Sequence, residues 1–258
     1  MTFTIGTDPE VFLEDAVSII PAVGLVGGTK EAPIPVNLGA IQEDNVLAEF
    51  NTSPANSVDE FLYNIHTVMD QLSNVVQPYK LKVISSFDFN KDLLISLGNQ
   101  ALQFGCDPDY NAWTGEVNHP PSPYTTLRTA GGHVHVGFDV SRDDDKSRFE
   151  VIQLMDIFLG IPSVLMDTDT RRRSMYGKAG ACRLKSYGAE YRVLSNFWLQ
   201  SDDYIKWVYS QSKRAVDNLG YIDDILGGYS PSDIQSVINN SNIKLAETII
   251  KDLRLEVV

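Results

Sequence analysis

Two of the chain's four histidines, His133 and His135, stand one residue apart in TAGGHVHVGF, residues 129–138. At i and i+2 of a strand, side chains share one face, so both imidazoles point one way and Val134 and Val136 the other. The spacing recurs. Asp8 and Glu10 flank Pro9 in GTDPEVFL, Glu190 and Arg192 flank Tyr191 in GAEYRVL, and Glu49 lies between Ala48 and Phe50. If these strands share a sheet, one face packs on helices and the other gathers carboxylates, imidazoles and an arginine. Burying that cluster without partners is costly, and divalent cations offset the cost. Hard oxygens from Asp8, Glu10, Glu49 and Glu190, with one or two imidazoles, suit Mg²⁺ or Mn²⁺ better than a tetrahedral Zn²⁺ site. So many carboxylates imply more than one ion, as in sites that clamp a transferring phosphoryl group.

Positive charge is concentrated just ahead of the Glu190 strand. The segment TRRRSMYGKAGACRLK carries Arg171, Arg172, Arg173, Lys178, Arg183 and Lys185. Arginine recognises carboxylate and phosphate bidentately, which makes Arg171, Arg183 and Lys185 candidates for nucleotide or substrate contact. Lys30, in VGLVGGTKEAP, is a further candidate to reach a phosphate. The segment itself fails the phosphate-loop pattern and reads as a glycine hairpin turn. A Cys106–His119 nucleophile is disfavoured, because nothing in the sequence lowers the thiol pKa. The stretch around Cys106, with Tyr110 and Trp113, reads instead as a substrate loop with aromatic walls. His66 falls among the apolar positions of the first helix and reads as structural.

The elements that must hold these residues are legible in outline. Ser57 caps a helix with Glu60 completing a capping box, and Phe61, Ile65, Val68, Met69, Leu72 and Val75 follow helical spacing up to Pro78. FTIGTDPEVFLE, SIIPAVGLV, LKVISSF and AEYRVLSNF read as strands, and AIQEDNVLAEFN as a hairpin turning at Asp44-Asn45. Residues 104–131 form a long irregular stretch, of the kind that is often functional. A helix near 145–159 is predicted to break around Gly160–Pro162, and the chain from Asp202 onward is helical. Strands and helices without strict alternation indicate an α+β fold built on a largely antiparallel sheet. The expected division is a catalytic part, residues 1–200, with a helical part, residues 201–258, packed on it.

Composition narrows the partners. With 258 residues, 43% hydrophobic, the chain can bury a sizeable core. A net charge of −13 argues against nucleic acid or an anionic membrane as partner. The N-terminus lacks the pattern of a signal peptide, no run approaches the ~18 apolar residues of a membrane span, and two cysteines make no disulfide framework. The expectation is a cytoplasmic protein.

In their order, these motifs resemble the glutamine synthetase and glutamate–cysteine ligase superfamily of carboxylate–amine ligases. GTDPEVF, GGTKEAP, EDNVLAEFN, FGCDPDYNAW, GGHVHVGF and YGAEYR resemble its phage-encoded type 2 branch, from about Thr7 to Asn196. The resemblance implies a curved antiparallel sheet, helices on its outer face, and two or more Mg²⁺ or Mn²⁺ ions that hold ATP phosphates. It implies a substrate carboxylate activated as an acyl phosphate and then displaced by an amine, the substrates being small molecules or peptides. Carried over, Asp8, Glu10, Glu49, His133 and Glu190 are metal ligands. Arg192 is the phosphate-facing arginine and His135 the histidine nearer the substrate. By their charge rather than by the resemblance, Arg171 is added as a catalytic candidate and Lys185, Arg183 and Lys30 as nucleotide contacts. The family usually has a second acidic ligand ahead of the one at Glu49. Glu43 or Asp44 could fill it, with Asp44 reading better as a turn residue. Position 8 is Asp where the larger enzymes have Glu, and the ring-building domain of glutamine synthetase is missing, which leaves the oligomeric state open. Two other readings use the same residues: a metal-dependent hydrolase of amide or phosphoester bonds, and a catalytically silent binding module.

Overall fold

The computed structural model describes residues 2–98, 101, 109–118, 125–141 and 144–258. Its strands form antiparallel sheets, as the sequence indicates. The first sheet runs in the order β1 (Phe3–Thr7), β11 (Val134–Phe138), β13 (Gly188–Tyr191), β12 (Ala181–Lys185) and β9 (Tyr110–Asn111). The second runs β3 (Ile19–Ile20), β2 (Glu10–Glu14), β6 (Leu47–Thr52), β5 (Gly39–Asp44) and β4 (Ile34–Val36), with β7 (Lys80–Lys82) also paired to β2. A two-stranded ribbon joins β8 (Ser86–Asp88) to β10 (Leu127–Thr129).

Asp8 and Pro9 alone separate β1 from β2, so the chain passes from one sheet into the other at that point. Pro9 has no N–H for a ladder and suits such a crossing. Its carbonyl still accepts from Phe50 N at 3.2 Å, and Glu10 N donates to Gly131 O at 2.9 Å. The hairpin between β5 and β6 turns at Asn45-Val46, one residue later than the sequence suggests, with Asn45 at φ 59°. Asp44 is thereby the last residue of a strand, paired with Leu47.

The apolar faces pack on helices. Helix Val58–Val75 is capped by Ser57, which accepts from Glu60 N at 3.2 Å. Glu60 reaches back to Asn56 N rather than to the cap itself. Its buried face, Phe61, Ile65, Val68 and Leu72, shares one core with Ile5, Val134, Val136 and Tyr191. Ile205, Trp207 and Val208 of helix Asp202–Asp217 enter the same core, and Trp198 stacks on Phe61 with ring centroids 6.3 Å apart. The predicted helix break around Gly160–Pro162 does not occur. A π-turn, Asp156–Gly160, instead joins helices Asp145–Met155 and Ile161–Met166 into one run. By length and hydropathy that run could cross a membrane, but 72% of its most apolar window is buried inside the protein, as in a core helix.

Candidate active site

Strand register assembles the polar face of the first sheet. His135 lies opposite Glu190 on β13 and opposite Gly6 on β1, and Arg183 on β12 lies opposite Glu190 from the other side. Glu190 is fully buried and ringed by cations. Lys185 Nζ is 2.8 Å and Arg183 Nη1 3.6 Å from its carboxylate, and Arg192 donates a short hydrogen bond to it. Arg192 also reaches Asp109 at 3.3 Å and lies 3.4 Å from His133 Nδ1. Asp8 sits 3.0 Å from His135 Nε2 and 3.4 Å from His133 Nδ1. Ligand atoms of Asp8, His135 and Glu190 lie within 4.8 Å of one another. The sequence reading gave the metal to His133, whereas His135 completes this triad.

The electrostatics of this triad are balanced from within. Burial works to raise the Asp8 carboxyl, but His135 and His133 hold it far below the usual range. Burial opposes Glu190 ionisation most strongly, but Arg192 together with His133 and His135 brings the carboxyl below its usual value. His135 is raised by Asp8 against the effect of burial, while burial and then Arg192 push His133 down to about 4.

A second triad stands on the other sheet. Glu10 pairs with Glu49 across β2 and β6, and Gln42 pairs with Glu49 across β5 and β6. Asp44, two residues on from Gln42, shares its face. Oxygens of Glu10, Asp44 and Glu49 lie within 4.8 Å of one another. Here nothing restores ordinary acidity. Burial, then the charge of Asp44, pushes Glu10 up to about 7 despite a 2.7 Å hydrogen bond from Gly131 N. Burial and three neighbouring carboxylates raise Glu49 well above its usual value, and burial raises Asp44. Three half-buried carboxylates at this spacing fit a divalent cation by donor type, and the ion would relieve their mutual repulsion. Asp44 rather than Glu43 therefore stands beside Glu10 and Glu49, as the fifth acidic residue of the constellation. Glu43 faces away, accepting from the Val26 and Gly27 amides.

Each triad borders a cavity. A cleft of about 540 Å³ is lined by Asp8, Glu49, His135 and Glu190 together with Lys30, Arg183, Lys185 and Tyr187. A pocket of about 60 Å³ is lined by Glu10, Asp44 and His133 together with Arg128, Arg172, Arg192 and Asp109. Every sequence-predicted site residue borders one of these spaces except Arg171. That side chain is half exposed and paired with Asp169 at 2.9 Å and Asp88 at 3.3 Å. Its neighbours Arg172 and Arg173 are both buried, Arg172 donating to the Val193 and Arg192 carbonyls and Arg173 to the Asp167 and Ser163 carbonyls. Arg128, Arg172, Asp109 and Tyr187 were missed, and Asp44 was named only as an alternative to Glu43. Tyr187, whose hydroxyl lies 2.6 Å from His135 Nδ1, follows Arg183 and Lys185 at i+2 spacing, which was a usable signal. The Trp113 indole N–H points inward to Asp156. His66 is half exposed, 2.9 Å from Asp202, and Cys182 is buried with its thiol pushed up by burial. Cys106 and His119 lie outside the described residues.

Residues 119–223 match the family described as phage phiEco32-like COOH.NH2 ligase-type 2. That span carries His133, His135, Arg183, Lys185, Glu190 and Arg192, and the description names ligation of a carboxyl to an amino group. The resemblance read from the sequence is borne out over those residues. A solved structure described as a novel glutamine synthase homolog aligns with a TM-score of 0.42 at 10% identity, covering 98% of this chain and 67% of that one. No curated protein matches the chain.

Proposed function

We propose, with the family match over residues 119–223 as premise, that the chain is a cytoplasmic ATP-dependent ligase that joins a carboxylate to an amine. The observation that carries this reading is the pair of triads. They stand on either side of the Asp8-Pro9-Glu10 crossing, each beside a cavity lined with cations. Asp8, His135 and Glu190 would hold one Mg²⁺ or Mn²⁺ ion, and Glu10, Asp44 and Glu49 another. Bound there, such ions supply neutralisation of phosphate charge.

The chain's own groups divide the remaining work. Lys30, Arg183 and Lys185 line the wide cleft, where a triphosphate fits their charge and the cleft's size. Arg128, Arg172 and Arg192 line the narrow pocket and suit the acid's carboxylate. An oxygen of that carboxylate attacks the γ-phosphorus, the bond to the bridging oxygen breaks, and ADP leaves with the electron pair. The amine nitrogen then attacks the acyl carbon, phosphate departs with one oxygen of the original acid, and the nitrogen loses a proton. Arg192, held between Asp109 and Glu190, faces the charge that moves in both steps. The acid and the amine are small molecules or peptides.

The test is phosphate release from ATP and Mg²⁺ against a panel of amino acids, peptides and amines. Release that requires both an acid and an amine supports the ligase. Amide or phosphoester cleavage without ATP replaces it with a metal-dependent hydrolase, and tight metal binding without turnover replaces it with a binding module.

A further inference from the structure

Asp156 opens the π-turn in the middle of the helical run and is fully buried. A residue that merely filled this space would be apolar, because burying a carboxylate is costly. Its two oxygens are used separately. Oδ2 accepts from Trp113 Nε1 at 2.6 Å, and Oδ1 accepts from the Tyr191 hydroxyl at 2.8 Å. The Gly180 amide is a third donor.

These partners belong to different elements. Trp113 lies in a short hairpin, residues 109–118, closed by Asn111 N to Glu116 O and by Asn118 N to Asp109 O, both 2.8 Å. Tyr191 lies in β13, directly between Glu190 and Arg192. The same two elements supply the ion pair of the narrow pocket, Asp109 from the hairpin and Arg192 from the end of β13. The surroundings are cut to fit the clamp. A Cβ at Gly160 would lie 2.8 Å from the Tyr191 hydroxyl, and one at Gly180 would lie 2.8 Å from Trp113 Cδ1. The π-turn widens the helix at Asp156, a feature that recurs at functional sites.

We propose that Asp156 is a positioning residue that clamps the 109–118 hairpin to β13 and so fixes Arg192 between Asp109 and Glu190. That Arg192 thereby meets the acid substrate rests on the ligase reading, whereas the clamp itself does not. Burial pushes the Asp156 carboxyl up to about 7, so the measurements are made at pH 8, where it is ionised.

Two variants test it. Trp113→Phe keeps the ring and deletes the N–H, and Asp156→Ala removes the clamp; if the latter does not fold, the former decides. Hydrogen exchange of residues 109–118 in the Mn²⁺-loaded protein should quicken about tenfold in Trp113→Phe, the worth of one buried hydrogen bond. In steady-state kinetics the KM for the acid should rise by about the same factor, while the KM for ATP and the Mn²⁺ affinity stay within about twofold. A purely structural role would lower the melting temperature while leaving hairpin exchange and the acid KM unchanged, and that result overturns the proposal. A wild type without ATP-dependent turnover counts against the ligase reading instead. The clamp is then judged by exchange alone, faster exchange supporting it and unchanged exchange refuting it.

Discussion

The two triads are built from similar groups and behave in opposite ways. Asp8 and Glu190 are surrounded by the protein's own cations, His135, Lys185, Arg183 and Arg192, and both carboxyls are held below their usual range. Glu10, Asp44 and Glu49 face one another under burial, and all three carboxyls are raised. The first site is preformed and charge-balanced. The second keeps its carboxyls raised although Lys30, Arg172 and Arg192 act to lower them, and an external cation would relieve their repulsion. The difference teaches that clustered carboxylates alone do not define a metal site's energetics, because the neighbouring strand decides. β12 presents Arg183 and Lys185 to the first triad, while β5 presents Asp44 to the second.

The comparison can be broken at several points. Glu190→Gln should lower turnover on the order of 10³-fold, since it removes a proposed metal ligand and leaves Arg192 without its anchor. In the metal-free protein the same change should cost about 3 kcal/mol by chemical denaturation, because Arg183, Lys185 and Arg192 lose their buried anion. Arg172→Ala should cost about 2 kcal/mol by the same measurement, leaving the Val193 and Arg192 carbonyls without their donor.

Glu49→Gln should act in the opposite direction, stabilising the metal-free protein by about 1 kcal/mol at pH 8 through relief of repulsion, while weakening Mg²⁺ binding. The pH dependence sharpens this contrast. Unfolded carboxyls titrate near about 4, and those of the second triad titrate higher in the folded protein. Between about pH 4 and 7 the folded state therefore binds more protons through this triad, and its contribution to stability is lost as pH rises. His133, pushed down to about 4, acts in the other direction over the same window. The difference between wild type and Glu49→Gln isolates the triad. It should grow with pH in metal-free thermal melts and reverse sign in excess Mg²⁺, which binds the wild type more tightly, and a metal-free difference independent of pH would contradict the account. The smallest effect is expected at Arg171→Ala, within about 0.5 kcal/mol and twofold in turnover, since its ion pairs are half exposed.

Much of the site was legible because strand periodicity is rigid. The i, i+2 spacing of His133 and His135, and of Glu190 and Arg192, survives in any sheet these strands enter. The same rule misled at Asp8 and Glu10. Pro9 interrupts the ladder there, and the two carboxylates of one motif end in different triads. Asp44 was read as a turn residue because Asp-Asn is a good turn pair; the positive φ falls on Asn45, which leaves Asp44 on the strand. In the run Arg171–Arg173 no local signal tells that Arg172 and Arg173 turn inward and Arg171 outward, because a helix of one turn is oriented by tertiary contacts alone. Asp109 was unreadable for the related reason that its hairpin has no apolar alternation and is fixed by Trp113 and Asp156, far apart in sequence. The helical run through Gly160–Pro162 keeps its continuity by widening into a π-turn, where a Cβ at Gly160 would press on the Tyr191 hydroxyl.

The central claim is that a carboxylate is activated by phosphoryl transfer between the two triads. With the acid identified by the phosphate-release panel, labelled with ¹⁸O in its carboxyl group, one labelled oxygen should appear in the inorganic phosphate for each amide formed. Phosphate free of label, with amide still formed, would contradict the account.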